Sequence, residues 1–295
     1  MNKKNITIGI IGPTNSGKST LLNNIIGEKL AIVTHKSQTT RSAFKGIKII
    51  NETQMIFIDT PGIFNAKTKF EKAMLENAYD ILNDVDLVFL LIDCKKSIDD
   101  FDENFLKNIK VLEEKIFLIL NKIDLIERGL LLAKIKNFTD LFNFKETFLI
   151  SAKNGDGVQD LLDKSSKLSN NEYWLYPEDQ TADVPMARIA SEITREKILL
   201  LLHEEIPYSS TVETESWIAN KTKSITINQT IYVSKKNHVG IVLGKGGKMI
   251  KSIGIASRED IEKILNNKVN LKINVKFKRD WSTKKKHFED IGLNF

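Results

Sequence analysis

The stretch Ile6-Thr-Ile-Gly-Ile-Ile-Gly-Pro-Thr-Asn-Ser-Gly-Lys-Ser19 decides the fold. Its first six residues form a near-continuous apolar run that reads as a buried strand, and Ser19–Ile26 carries helical periodicity. Between them, Gly12 and Gly17 frame a loop with Gly-x-x-x-x-Gly-Lys-Ser spacing. Such a loop, between a strand and a helix, turns its backbone N–H groups inward to cradle phosphates, helped by the positive end of the helix. Gly12, Pro13, Thr14, Asn15, Ser16, Gly17, Lys18 and Ser19 are therefore candidate phosphate contacts. The Lys18 ammonium can reach the β- and γ-phosphates, and the Ser19 hydroxyl can ligate Mg2+. A plain glycine turn is the bland reading, and the strand-loop-helix context argues against it.

Outward from this loop, apolar runs recur at Ile6–Ile11, Met55–Ile58, Leu87–Ile92, Ile116–Leu120 and Thr147–Ile150, alternating with helical stretches through residue 168. Alternation of this kind predicts an α/β domain with a mostly parallel sheet covered on both faces. Its remaining motifs close successive strands, where ligands bind in open α/β sheets. Asp59-Thr60-Pro61-Gly62 places a carboxylate where it can hold Mg2+ and an N–H where it can meet a γ-phosphate. Asn121-Lys122-Ile-Asp124 offers a carboxylate that can accept both the N1–H and the exocyclic N–H of guanine, a pairing adenine lacks. Ser151-Ala152-Lys153 supplies a backbone N–H for guanine O6. In Ser37-Gln-Thr-Thr-Arg41 a threonine is expected to close on Mg2+ when a γ-phosphate is present, with Thr40 favoured over Thr39. Four loops agreeing on one ligand point to GTP and GDP with Mg2+.

The chain has 295 residues and a formal net charge of +6. Residues 170–220 hold 3 Lys+Arg against 10 Asp+Glu, whereas residues 221–286 hold 17 against 4. The basic block reads as a polyanion surface, or else as a solvated lysine face in a Lys-rich chain. Domains are expected at 1–168 and 183–295, with a linker at 169–182 around Ser169-Asn-Asn-Glu172 and Tyr176-Pro-Glu-Asp179. The second half reads α-β-β-α-α-β, one small α+β domain. The single cysteine, Cys94, excludes a disulfide framework or a Cys-built zinc site, and the apolar runs are too short to span a bilayer. A soluble protein of a reducing compartment is the expectation.

These residues, together with Ser191-Glu-Ile-Thr-Arg-Glu-Lys197, Ile206-Pro-Tyr208 and Gly244-Lys-Gly-Gly247, make the chain resemble the Era family of bacterial GTPases essentially end to end. The resemblance implies a Ras-like P-loop GTPase domain followed by a type II KH domain. It implies GTP hydrolysis and binding near the 3′ end of small-subunit (16S) rRNA during 30S ribosomal subunit assembly, by a monomer in the bacterial cytoplasm. Gly244, Lys245, Gly246, Gly247, Lys248 and Lys251 are then the RNA-contacting candidates. The basic tail, Val275–Trp281 and Lys284–Lys286, fits rRNA or, alternatively, weak peripheral association with the inner membrane. A further alternative is a GTPase switch whose C-terminal module binds a protein. Ile63 stands where Ras-like proteins carry a water-orienting glutamine. Hydrolysis is then expected to rest on Lys18, Thr40, Gly62 and Asn15, the last matching an asparagine that helps hold K+ in related GTPases. Pro13-Thr14, Ser16 and Tyr173–Tyr176 depart from the commonest pattern.

Overall fold

The computed structural model describes the chain except residues 1–2, 35, 37–39, 42, 63–68, 98–99, 102, 170, 221–222, 280 and 282–295. Ser37, Gln38, Thr39, Ile63 and Lys284–Lys286 therefore lie outside the described residues. Contacts divide the chain into two compact units: Met1–Leu30 with Thr40–Asp183, and Ala31–Thr39 with Val184–Phe295.

In the first unit β1 (Lys4–Ile11) leads through the glycine loop into α1 (Lys18–Ile26), then β2 (Phe44–Ile50) and β3 (Thr53–Asp59). There follow α2 (Lys69–Asn83), β4 (Leu87–Asp93), α3 (Glu103–Leu112), β5 (Ile116–Asn121), α4 (Arg128–Thr139), β6 (Glu146–Ile150) and α5 (Val158–Ser166). One six-stranded sheet runs β2-β3-β1-β4-β5-β6, parallel except for β2, which pairs antiparallel with β3. This is the expected Ras-like, mostly parallel sheet. β2 carries no clean alternation, since Lys45, Gly46 and Lys48 interrupt its apolar residues, and the sequence patterning alone leaves it undetected. The central strands are apolar on both faces because helices cover both, so Val88, Leu90, Ile116 and Leu118 are fully buried. Each such side chain contributes about 1.5–3 kcal/mol by leaving water.

Residues 171–183 run along the starts of β1 and β3 and then beside β2 rather than hanging free. Gln54, buried in β3, accepts hydrogen bonds from the backbone N–H groups of Leu175 (2.8 Å) and Tyr176 (2.9 Å) and donates to the Tyr176 carbonyl (2.8 Å). Asn5 donates to the Tyr173 carbonyl at 2.6 Å, and Ile47 N–H to the Thr181 carbonyl at 2.8 Å.

The second unit carries α6 (Met186–Leu201), β7 (Ser210–Ala219), β8 (Ile225–Val233), α7 (Lys236–Leu243), α8 (Lys248–Leu265) and β9 (Val269–Phe277). Its sheet runs β7-β8-β9, antiparallel between the first pair and parallel between the second. The α-β-β-α-α-β order is that of a type II KH domain. Ile198, Leu202, Ile231, Val233, Val242 and Ile253 form its core. Trp281 packs as core at 1 % exposure, its indole N–H donating to the Ser209 carbonyl at 3.0 Å. No helix among the described residues is long and apolar enough to cross a membrane.

Candidate functional site: a phosphate loop and a glycine-rich basic loop

Parallel strands carry every predicted nucleotide motif to one end of the sheet. Gly12–Gly17 leaves β1 there, Asp59 ends β3, Asn121 ends β5, and Ser151 follows β6. Adjacent registers set Ile10 opposite Asp59 and Asp93 opposite Asn121, so the loops meet above neighbouring strands.

The phosphate loop is held by its own backbone and by the base-recognition loop. Lys18 donates to the carbonyls of Gly12 (3.0 Å) and Pro13 (2.9 Å), folding its ammonium back into the loop it would share with phosphates. Asn121 donates to the Ser16 carbonyl at 2.7 Å and accepts from the Ala152 N–H at 2.9 Å, joining three of the motifs. Gly17 must be glycine: its φ is 102°, and a Cβ there would stand 2.2 Å from Asn121 Nδ2. Lys122 Nζ donates to the Asn15 carbonyl (2.6 Å) and pairs with Asp93 (2.8 Å), a partner that sequence reasoning overlooked. Its signal was an acidic residue at a strand's C-terminal end. Ser151 Oγ donates to Asp124 Oδ1 at 2.7 Å, turning that exposed carboxylate toward the region a base would occupy. Lys153 is exposed beside it, and Thr60 is fixed to the Ile10 carbonyl at 2.9 Å.

Ser19, Thr40 and Asp59 converge. Ser19 Oγ donates to Asp59 Oδ2 at 2.7 Å, Thr40 Oγ1 to the same oxygen at 3.3 Å, and the two hydroxyls stand 3.1 Å apart. Asp59 is fully buried, and its other oxygen finds no hydrogen-bond partner among the described residues. A buried carboxylate with one free oxygen and two hydroxyls alongside is a donor set of hard oxygens, which suits Mg2+. Burial pushes the Asp59 carboxyl up to about 6, against the pull of Lys18 and the two hydroxyls. Burial likewise lowers the Lys18 ammonium to about 8, opposed by Asp59. Gly62 brings its backbone close to Lys18 and Thr14: a Cβ there would lie 3.1 Å from Lys18 Nζ and 3.0 Å from Thr14 Cγ2.

In the second unit, Gly244-Lys-Gly-Gly247 joins α7 to α8. Gly246 (φ 60°) and Gly247 (φ 73°) take backbone conformations that L side chains avoid, with open space where a Cβ would be. Lys245, Lys248 and Lys251 are exposed around them. Beside the loop, a groove of about 310 Å3 between α8 and β9 is lined by Ile250, Lys251, Gly254, Ile255, Arg258, Leu271 and Ile273. Arg258 is a cation that sequence reasoning missed, although it falls two helical turns after Lys251 on one face of α8.

Family models agree with this division: a 50S ribosome-binding GTPase model matches residues 7–122 and a KH domain model matches residues 205–282. The GTPase Era of Agrobacterium fabrum is 43 % identical over 288 residues, covering 98 % of this chain and 91 % of the relative. That of Rhizobium meliloti is 42 % identical with nearly the same coverage, 98 % and 92 %. The chain belongs to the Era family of GTPases. A solved structure of Aquifex aeolicus Era, a variant bound to GDP and AlF4−, superposes with a TM-score of 0.93 at 33 % identity, covering 99 % of this chain and all of the other. A second, of Era in complex with MgGDPNP and nucleotides 1506–1542 of 16S ribosomal RNA, gives 0.91 at 33 % identity with 99 % of each chain covered. Both units of the fold are thus those of the family, and the activity is hydrolysis of GTP to GDP and phosphate.

Proposed function

We propose that this GTPase binds small-subunit (16S) rRNA near its 3′ end through the α7–α8 loop and the adjoining groove, and that it assists 30S subunit assembly as a cytoplasmic monomer. The observation that carries this reading is the combination in one chain of a complete nucleotide site and a basic Gly-x-x-Gly loop beside an apolar groove. The likeness over 99 % of the chain to the Era complex with MgGDPNP and 16S rRNA nucleotides supports it.

In this reading Ser19, Thr40 and Asp59 hold Mg2+, which would neutralise charge on the β- and γ-phosphates. Lys18 leaves the Gly12 and Pro13 carbonyls for the same phosphates, and the Gly62 N–H meets the γ-phosphate. Asp124 takes the two guanine donors while Asn121 locks the loops around the base. With Ile63 in place of a glutamine amide, transition-state charge needs another cation. In this reading Asn15 helps hold K+ against the phosphates, and Lys122 tethers its backbone carbonyl at 2.6 Å.

Turnover of GTP, measured with and without an rRNA 3′-end fragment and in K+ or Na+ at equal ionic strength, tests this reading. Faster turnover with the fragment and in K+ is expected, with Asn15→Ala erasing the cation effect. Turnover indifferent to the fragment, together with no binding of it on a filter, would overturn the RNA assignment. A rate independent of the cation would overturn the role of Asn15.

A further inference from the structure

Of the parallel strands that end at the nucleotide site, β4 closes on no nucleotide motif; it closes on Asp93-Cys94. Both residues nonetheless hold the loop that follows β5. The Cys94 N–H donates to the Asn121 carbonyl at 2.9 Å, and its thiol donates to the Lys122 carbonyl at 3.1 Å. The Lys122 carbonyl also accepts the Leu125 N–H at 2.9 Å, closing the turn that carries Asp124. Asp93 Oδ1 accepts the Lys95 N–H at 3.0 Å, which fixes the carboxylate, while Oδ2 takes the Lys122 ammonium at 2.8 Å. With the Lys122 side chain 30 % exposed and that of Asp93 20 %, the pair is partly withdrawn from water. What it holds is strained. Lys122 stands at φ 69°, and Asn15, whose carbonyl accepts the same ammonium at 2.6 Å, stands at φ 64°. A side chain crowds the backbone in this left-handed region, so such residues persist where their surroundings over-determine them.

We propose that Asp93 is a positioning residue for nucleotide binding, acting through Lys122. Held by Asp93 on one side and by the Asn15 carbonyl on the other, the ammonium staples the phosphate loop to the guanine loop before nucleotide arrives. A site arranged in advance loses less side-chain and loop freedom on binding. Without the carboxylate, the Lys122 side chain regains its rotamers, and nucleotide must order both loops itself. The guanine base is common to GTP and GDP, so both should lose affinity alike.

Calorimetry on the full chain, with GDP and with a non-hydrolysable GTP analogue, tests this. Asp93→Asn keeps an oxygen for the Lys95 N–H and removes the charge. It should weaken both ligands by about fivefold, the scale of one partly exposed charge pair, with their ratio unchanged. Lys122→Met should weaken both further, because the Asn15 carbonyl also loses its donor. In the double variant the loss should equal that of Lys122→Met alone, since Asp93 then has nothing to act through. A merely structural Asp93 gives another result: its loss adds to that of Lys122→Met, and that outcome overturns the proposal. Wild-type affinity in folded Asp93→Asn overturns it too, as does a loss confined to the GTP analogue. Asp93→Ser, whose hydroxyl can take the Lys95 N–H, removes the carboxylate by a second route and carries the same expectations if Asp93→Asn fails to fold.

Discussion

Asp59 and Lys18 titrate toward each other from opposite sides, because both are buried and each is only partly offset by the other. Mg2+ needs Asp59 ionised, and phosphate needs Lys18 protonated. Affinity for Mg·GTP should therefore be flat between about pH 6 and about pH 8, fall as pH drops through the raised Asp59 value, and fall again as pH rises past the lowered Lys18 value. Calorimetry in buffers of different ionisation enthalpy should show proton release on binding below about 6 and proton uptake above about 8. Asp59→Asn should remove the acid limb and, with the carboxylate that supports the Lys18 ammonium gone, move the alkaline limb to lower pH. These two residues were legible in the sequence because the chemistry of each is tied to a fixed covalent spacing beside a glycine. Asp93 was not: its role depends on β4 and β5 lying in register, which pairs Asp93 with Asn121, and no local spacing encodes that.

Buried amides give the segment 169–183 its place. Gln54 spends three hydrogen bonds on Leu175 and Tyr176, so Gln54→Leu strands two N–H groups and a carbonyl. Lost buried hydrogen bonds of this kind cost about 1–3 kcal/mol each, and partial access of the exposed segment to water sets the expected total at about 2–3 kcal/mol in urea unfolding. Lys107→Ala, at an exposed helical ion pair with Glu103 at 3.7 Å, should stay within about 0.5 kcal/mol. A midpoint for Gln54→Leu equal to that of Lys107→Ala would mean that the segment is merely laid on the surface. Among the elements, the buried strands and amphipathic helices could be read directly, since their periodicities differ. β2 escaped because its order comes from pairing along β3 rather than from its own pattern, with lysines and a glycine interleaved. Tyr176–Asp179 could be read as extended, but the attachment of this segment to Gln54 escaped for a related reason: its partner lies over 100 residues earlier in the chain.

The whole molecule combines a nucleotide site with a basic loop, and the chain passes from one unit to the other at 30–31, 39–40 and 183–184. Ordering Thr40 around a γ-phosphate thus acts on a stretch of chain that the second unit holds. RNA should bind more tightly with a non-hydrolysable GTP analogue than with GDP, and linkage demands that RNA strengthen analogue binding by the same factor, about 5–150-fold where coupling is real. Filter binding in both nucleotide states, with titration of the analogue in the presence and absence of RNA, checks both sides. Equal RNA affinity in the two states would leave two independent binding modules on one chain. At this scale the order of the domains could be read from charge and motifs. The transfer of residues 31–39 could not, because the carboxylate that receives Val33 lies 163 positions away.

That transfer also changes what counts as a separable piece of this protein. A fragment begun at Val184 would lack residues 31–39, leaving the Glu196 carboxylate without the Val33 N–H and the Leu202 carbonyl without the Lys36 ammonium. Such a fragment would invite self-association. A synthetic peptide spanning residues 30–40 would restore it by mass action, its melting temperature rising with peptide concentration. The RNA-binding half of this molecule is thus a two-piece fold, and one of the pieces is borrowed from the GTPase half.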